Sequence, residues 1–523
     1  MKKRIIALIL AASCVTFTSC DQRLEELNTD KINPAQVSAS SLFTKGLKEG
    51  FDMMGSINVN NNPFRLYAQY WAQTTYPEES QYSLTSRNIP DNFWAAAYRN
   101  VLLDLAEAKK ITKVELENDA ARTATLTNRI ACIEIMSAYT YTTLVDVFGN
   151  VPYTEALDVS NLSPKYDDAR TIYSDLITRL DAAINSTDMG TQGFTASQDP
   201  LFNGDMSQWI KFANSLKFRM GMRLADVDKS ASVSIVNSAL AGGILESNGD
   251  NVRLEYMSSS PNTNPVYEDL VLSGRNDFVL ANTFADYLNT TKDPRVTAYA
   301  QANPVPFANG ADYVAPTDMY VLYDDATSYV TAGTVIPASS ASRNPRIFIG
   351  GTYGDANSFN SNSKVSRTLY TDPTYGVTLI NYAEMRFLMA EAAARGGYAI
   401  TGSAAEHYAA GITASFEEFN VEGVDEYLAQ SHVAYATAEG DFRTKIGRQM
   451  WVALYNEGSE AWATWRRLDF GVLRPLPEET TVTLPLRFTY PIAEQQLNGT
   501  QYSAAGSAIG GDAVTTKLFW DVQ

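Results

Sequence analysis

Two histidines, His407 and His432, are the only imidazoles in the chain, and neither sits in a pattern that does chemistry. There is no His-Glu-x-x-His pair for zinc and no pair of cysteines at ligand spacing. No Gly-x-Ser-x-Gly elbow presents a nucleophile, and no Gly-x-x-x-x-Gly-Lys-[Ser/Thr] loop cradles a phosphate. His407 follows Glu406 on a predicted helix and is expected to face solvent. Glu384 and Glu391 stand seven residues apart on one predicted helix face. That is a rise of about 10.5 Å, slightly beyond the carboxylate spacing of inverting glycosidases. Arg386 and Arg395 are near them, so structural ion pairing is the expected role. Aspartates near 312 and 324–325 lack the spacing of a calcium loop. No catalytic residue, metal or cofactor is expected.

What remains is binding chemistry. The chain has 29 tyrosines, 22 phenylalanines and 7 tryptophans, and aromatic faces stack on sugar rings or clamp peptide side chains. Neighbouring Asn, Asp and Arg then hydrogen-bond hydroxyls or backbone. The tyrosines in polar, loop-like sequence are the candidate ligand-lining residues: Tyr76, Tyr82, Tyr256, Tyr267, Tyr313, Tyr320, Tyr323, Tyr353 and Tyr375, with Asn264 beside them. The alternative for each is local loop packing. Trp94, Trp209, Trp451, Trp462 and Trp465 fall on helical stripes and belong to the core by that pattern.

The elements that must carry these side chains read as helices. Apolar residues recur at three- to four-residue steps over 125–148, 204–226 and 380–396. Gly149 and Pro152 stop the first, Asp205 is placed to cap the second, and Gly396-Gly397 ends the third. Glu391 and Arg395 form an i,i+4 pair on the third. Further helices are predicted at 403–419, 441–456 and 459–468. Antiparallel pairs with short loops suggest a tetratricopeptide-like solenoid, although no 34-residue consensus repeats. Residues 250–378 differ: runs such as Ser258-Ser259-Ser260-Pro261-Asn262-Thr263-Asn264-Pro265 are loop and short-strand composition. The expected fold class is mainly α, a scaffold of helical pairs with an inserted loop-rich, short-strand region, 41–523 forming a single domain.

Both ends of the argument about location come from the N-terminus. Lys2, Lys3 and Arg4 precede an apolar run from Ile5 to Ala12, too short to span a bilayer, and small residues lead to Ser19-Cys20. That order predicts a lipoprotein signal over 1–19, lipidation of Cys20 and a polar tether over 20–40. Several acyl chains, each adding roughly 0.8 kcal/mol per buried CH₂, would hold the protein to a membrane lastingly. No other segment has about 18 consecutive apolar residues. Cys132 lies in an apolar helical stretch and is expected to be a buried small hydrophobe. The formal charge is −18, and losing the three basic residues of the signal makes the mature chain more acidic still. That balance argues against nucleic acid as a partner, since phosphates need a basic patch.

Several strings, in order, resemble the SusD/RagB family of nutrient-binding outer-membrane lipoproteins. Asn28-Thr29-Asp30-Lys31-Ile32-Asn33-Pro34 resembles its post-lipid segment. Phe148-Gly149-Asn150-Val151-Pro152-Tyr153-Thr154-Glu155-Ala156-Leu157 resembles its helix-ending stretch. Trp209 with Asn214 to Met220, Tyr382-Ala383-Glu384 with Ala390-Glu391-Ala392, and Gln449 to Arg467 follow the same pattern. Arg487-Phe488-Thr489-Tyr490-Pro491 with Glu494 and Asn498 resembles the C-terminal signature. Met450 and Leu486 depart from it. The resemblance implies a SusD-like α-α superhelix facing the cell exterior. It also implies a SusC-type TonB-dependent transporter as partner and an oligosaccharide or oligopeptide as ligand. These matching strings are read as fold-forming: Gly149 and Gly458 ending helices, Arg466 and Arg467 pairing with buried carboxylates. The competing functions are a helical-repeat assembly scaffold without a small ligand and a surface glycosidase.

Overall fold

The computed structural model describes residues 37–476 and 482–523. The predicted signal and lipidation site, residues 1–19 and Cys20, lie outside the described residues, as does most of the tether. The scaffold is built from α1 (Ala39–Gly55), α2 (Ile89–Ala95), α3 (Leu103–Asn118), α4 (Thr123–Phe148), α5 (Ala169–Ser186), α6 (Met206–Arg223), α7 (Lys229–Gly242), α8 (Tyr382–Arg395), α9 (Ala404–Glu418), α10 (Phe442–Ala453) and α11 (Gly458–Leu468). A π-helix, Ala96–Leu102, links α2 to α3. Helices pack in successive pairs: α1 on α3, α4 on α5, α6 on α7, α8 on α9 and α10 on α11. The helix starts follow from sequence: Ser38, Asp168, Asp205, Asp228, Asn381, Ser403 and Asp441 each accept a hydrogen bond from a first-turn amide. Each such cap stabilises its helix by about 1 kcal/mol. Gly149 ends α4 with φ 88°, a conformation that favours glycine.

The scaffold's interior is apolar but bolted by charge. Arg219 of α6 grips Glu384 of α8 with two bonds of 2.6 and 2.5 Å. Arg223 reaches Glu460 of α11 at 2.7 Å and Asp146 of α4 at 2.8 Å. Glu391 receives both Arg395 (2.7 Å) and Arg467 (2.5 Å). Glu384 and Glu391 are thus structural, as their neighbourhood suggested, although Arg219 and not Arg386 closes the first pair. Cys132 is buried beside the Met206 sulfur, 3.7 Å away.

Three expectations are corrected. His407 does not face solvent: it is 4% exposed, its Nε2 lies 2.9 Å from the Thr401 carbonyl, and burial pushes its pKa down. The loop entering α9 folds back over the ring. Among the described residues Arg466 pairs with no carboxylate; it donates to the Asp146 and Leu486 carbonyls at 2.8 and 2.9 Å, with Trp462 against its guanidinium. Gly458 opens α11 rather than ending a helix. A Cβ there would come within 2.5 Å of the Arg65 backbone nitrogen.

Short strands, all but the first in the middle of the chain, are β1 (Trp71–Gln73), β2 (Val252–Leu254), β3 (Phe278–Leu280), β4 (Asn303–Pro304), β5 (Met319–Leu322), β6 (Thr327–Val330), β7 (Arg346–Ile347) and β8 (Val377–Ile380). β1 pairs antiparallel with β3, and β2 with β8. The order β6-β5-β7-β4 makes a small sheet over its own core of Val305, Ala315, Met319, Val321, Ile336 and Ile347.

Candidate functional site

The site is set by the β1–β3 pair. Its register places Gln73 opposite Phe278. Just beyond the paired residues, the Thr74 amide donates to the Asp277 carbonyl at 2.9 Å and its hydroxyl to the Asn276 carbonyl at 2.6 Å. The turn after β1 and the segment before β3 therefore stand on either side of one opening. The chain leaving α1 closes the third side. The result is a cleft of about 220 Å³ lined by Ile57, Asn58, Val59, Asn60, Gln73, Thr75, Tyr76, Arg87, Asp269, Leu270, Arg275, Asp277 and Phe278.

Tyr76 is the aromatic face of this cleft. It is 65% exposed and has φ 54°, an uncommon conformation for a non-glycine residue. A buried polar clasp supports that turn. The Gln73 amide donates to the Tyr76 carbonyl at 3.0 Å and to Glu79 at 2.7 Å. Its carbonyl accepts from the Ser80 amide and hydroxyl at 2.9 and 2.8 Å. Glu79, wholly buried, also receives Arg87 Nε at 2.5 Å. That contact sets the Arg87 guanidinium 6.0 Å from the centre of the Tyr76 ring, at the outer range of a cation–π contact. Across the opening, Arg275 is tied to Asp277 at 2.6 Å. Asn58 and Asn60 are exposed on the remaining side. The arrangement can stack a flat ligand face and hydrogen-bond its edges, with the carboxylates of Asp269 and Asp277 beside Arg275.

A second concavity of about 300 Å³ adjoins the first, sharing Asn58 and Asp269. Its walls include Lys48, Glu49, Asp52, Asn61, Thr263 and Glu268. Burial pushes the Asp52 carboxyl up against the pull of Lys48, 2.5 Å away. Burial also raises Asp269, with Glu268 and Asp277 adding to the shift and Arg275 opposing it. Elsewhere, a cavity of about 30 Å³ lies among Asp146, Arg219, Arg223, Glu457 and Glu460, with room for water only.

Of the ten lining residues expected from sequence, the structure brings Tyr76 alone to the cleft. Tyr82 is buried under Tyr67, its hydroxyl accepting from Gln69 at 3.3 Å, and Tyr353 packs 6.1 Å from it. Tyr256 is buried with its hydroxyl on Asp52, 2.7 Å away. Asn264, also buried, accepts from the Val266 amide at 2.7 Å and donates to the Tyr375 carbonyl at 2.6 Å. These enclosed positions leave no ring or amide face for a ligand. Tyr375 lies half-buried beneath Arg253, 4.5 Å from its guanidinium, and Tyr267 is half-buried beyond Asn264. Tyr313 pairs with Ile336 in a separate two-stranded ladder. Tyr320 packs on Tyr329 at 5.4 Å, and Arg343 covers Tyr323 at 4.1 Å. Asp324 and Asp325 are held by Arg346 and Arg343. Missed at the sequence level were Gln73, Arg87, Asp269, Arg275 and Asp277; the only signal was their polarity within loop-like sequence.

The comparisons agree on one fold. A family model described as "SusD-like: Starch-binding associating with outer membrane" matches residues 31–491. A solved structure described as a chitin-binding protein is 24% identical, covering 93% of this chain and 100% of its own, with a TM-score of 0.73. A chitin-binding SusD homologue from Flavobacterium johnsoniae is 21% identical over 92% of this chain and 99% of its own, TM-score 0.68. A SusD homologue from Bacteroides thetaiotaomicron is 20% identical over 93% and 100%, TM-score 0.71. No curated protein matches the chain.

Proposed function

Because the chain belongs to the SusD-like family, described as starch-binding and associating with the outer membrane, we propose that it captures an oligosaccharide in the cleft at Tyr76. On this reading it passes the ligand to a SusC-type TonB-dependent transporter. Acyl chains on Cys20 hold the body at the outer face of that membrane, and the polar tether lets it swing over the transporter. The observation that carries the reading is Tyr76: an exposed ring fixed from behind by the Gln73–Glu79–Arg87 clasp, with exposed amides and ion-paired side chains around it. A ring so held stacks on a sugar with little ordering cost, since its turn is already set. Two similar structures described as chitin-binding favour a sugar over a peptide. The family is one of binding proteins, and the role needs no catalytic group.

The test is calorimetric titration of a soluble form beginning after Cys20, against separate pools of oligosaccharides and oligopeptides. Heat with the oligosaccharides is expected, and Tyr76→Ala should weaken that binding about tenfold, or about 1.4 kcal/mol. Heat only with peptides would replace the sugar by a peptide. Tyr76→Ala binding as the parent does would move the site elsewhere. Copurification of a large β-barrel with the lipidated protein from membranes checks the transporter.

A further inference from the structure

The clasp behind Tyr76 fixes one side of the cleft, but the third wall, residues 57–60, has a different support. That wall is the chain leaving α1, and the last carbonyls of a helix have no partners within it. Two buried side chains provide them. Asn62 Nδ2 donates to the Met53 and Met54 carbonyls at 2.9 and 3.0 Å. Arg65 donates to the Gly55 and Ser56 carbonyls at 3.0 and 2.8 Å. Both side chains are buried. Within the turn, the Asn58 carbonyl accepts from the Asn61 and Asn62 amides at 3.0 and 2.9 Å, so Asn58 and Asn60 reach the opening from a closed loop. The remaining Arg65 donor, Nε, goes to the Asn456 side-chain oxygen at 2.8 Å. Asn456 lies outside the cleft, between α10 and α11, with φ 79°. Its neighbour Tyr455 accepts from Trp71 Nε1 at 2.9 Å, and Trp71 begins β1, which leads to Tyr76.

Two consecutive residues of the α10–α11 junction thus hold two sides of the cleft. Resting on the reading of Tyr76 as a sugar platform, we infer that Asn456 and Arg65 are positioning residues for the ligand: through Arg65, the junction sets where Asn58 and Asn60 meet the edge of a sugar stacked on Tyr76. Neither positioning residue touches the sugar. Without the Asn456 oxygen, Arg65 Nε is buried with no acceptor, and leaving it so is costly. The guanidinium then shifts from the Gly55 and Ser56 carbonyls, and the turn over 57–60 loses its fixed place. Ordering that turn again on binding lowers affinity. The link also runs in reverse, because coupling between two sites is reciprocal. A ligand that fixes the turn steadies the junction, so capture of a sugar is felt inside the scaffold.

The experiment titrates the full-length protein in detergent with an N-acetylated chito-oligosaccharide and with a starch oligosaccharide of equal length. Asn456→Gly removes the acceptor and suits the positive φ, while Asn456→Asp keeps an acceptor in the same place. Asn456→Gly should weaken whichever oligosaccharide binds by about tenfold, and Asn456→Asp should stay within about twofold of the parent. Amide exchange over 57–61 should accelerate in Asn456→Gly, with thermal melts checking the fold. Asn456→Gly binding as the parent does, or Asn456→Asp binding as weakly as Asn456→Gly, overturns the inference. If Tyr76→Ala is weakened in the same series, the capture of a sugar stands all the same. Tyr76→Ala binding as the parent does, or neither oligosaccharide bound by the parent, overturns the inference together with the reading on which it rests. Exchange on the unmodified protein decides the question even where Asn456→Gly fails to fold. Bound oligosaccharide should slow exchange over 57–61 and 454–458 together, and protection of 57–61 alone overturns the inference.

Discussion

In the scaffold, helices α4, α6, α8 and α11 bury arginines and carboxylates against one another inside one continuous apolar core, whereas the small sheet of residues 303–347 closes over six buried side chains. The first region spends burial on charges that only one packing satisfies. The second uses backbone pairing and surface contacts such as Arg343 over Tyr323. The cleft lies between these extremes, on loops fixed by β1–β3 pairing and a buried polar clasp. The difference teaches where substitutions will hurt: uniqueness is enforced in the scaffold, and tolerance grows toward the loop-rich region.

The sharpest way to break that contrast is in the scaffold. Arg219→Met removes the cation from Glu384 and leaves a buried carboxylate with Glu460 as a like-charged neighbour. A loss of about 3–5 kcal/mol is expected, read by denaturant melts. Restoring the balance with Glu384→Leu in the same chain should recover much of it, because an apolar pair of similar volume carries no desolvation cost. A double variant as unstable as the single one would mean that the ion pair contributes beyond charge balance.

A smaller effect belongs to Glu418, at the end of α9. One of its oxygens is buried without a partner, and its nearest cation, Arg253, is already engaged by Glu255 at 2.6 Å. Burial pushes its pKa up to about 7 from 4.5, with Arg253 opposing. The unfolded chain releases this proton above pH 4.5 while the fold holds it to about 7. Stability is therefore lost as pH rises through that window and is flat above it. Glu418→Gln should remove this slope and raise stability at pH 8 by about 2 kcal/mol, measured as melting temperature against pH.

The small sheet offers the next step down. Val321→Ala opens a cavity in a core of six residues and should cost about 1–2 kcal/mol. Hydrogen exchange should accelerate in 303–347 while α4 and α6 stay protected. Acceleration throughout the scaffold would show that the two cores unfold as one.

Much of the scaffold was legible because its periodicity, caps and stops are local. Asp205, Gly149 and the stripe along α8 act within a few residues of themselves. The cleft was harder to read because it is made of residues distant in sequence, brought together by the register of two three-residue strands. Polarity in loop-like sequence flags a tyrosine without telling whether its ring turns inward, and Tyr82, Tyr256 and Tyr353 turn inward to fill space among other aromatics or to hydrogen-bond Asp52. His407 failed for a related reason: helical spacing orients a side chain relative to its own helix, and the loop folding over α9 is not part of that spacing.

Tyr76 marks the low end of the stability scale and the high end of the binding scale. Its ring is exposed, so truncation to alanine opens no cavity. Its φ of 54° is a cost that any non-glycine residue bears, so alanine neither adds nor removes it. The clasp behind it uses the Tyr76 carbonyl, which alanine retains. Tyr76→Ala should therefore shift unfolding by less than about 0.5 kcal/mol while weakening oligosaccharide binding. Loss of both together, in melts and titrations of one preparation, would mean that the ring props the turn rather than presents itself, and the cleft would then belong with the scaffold in the contrast drawn above.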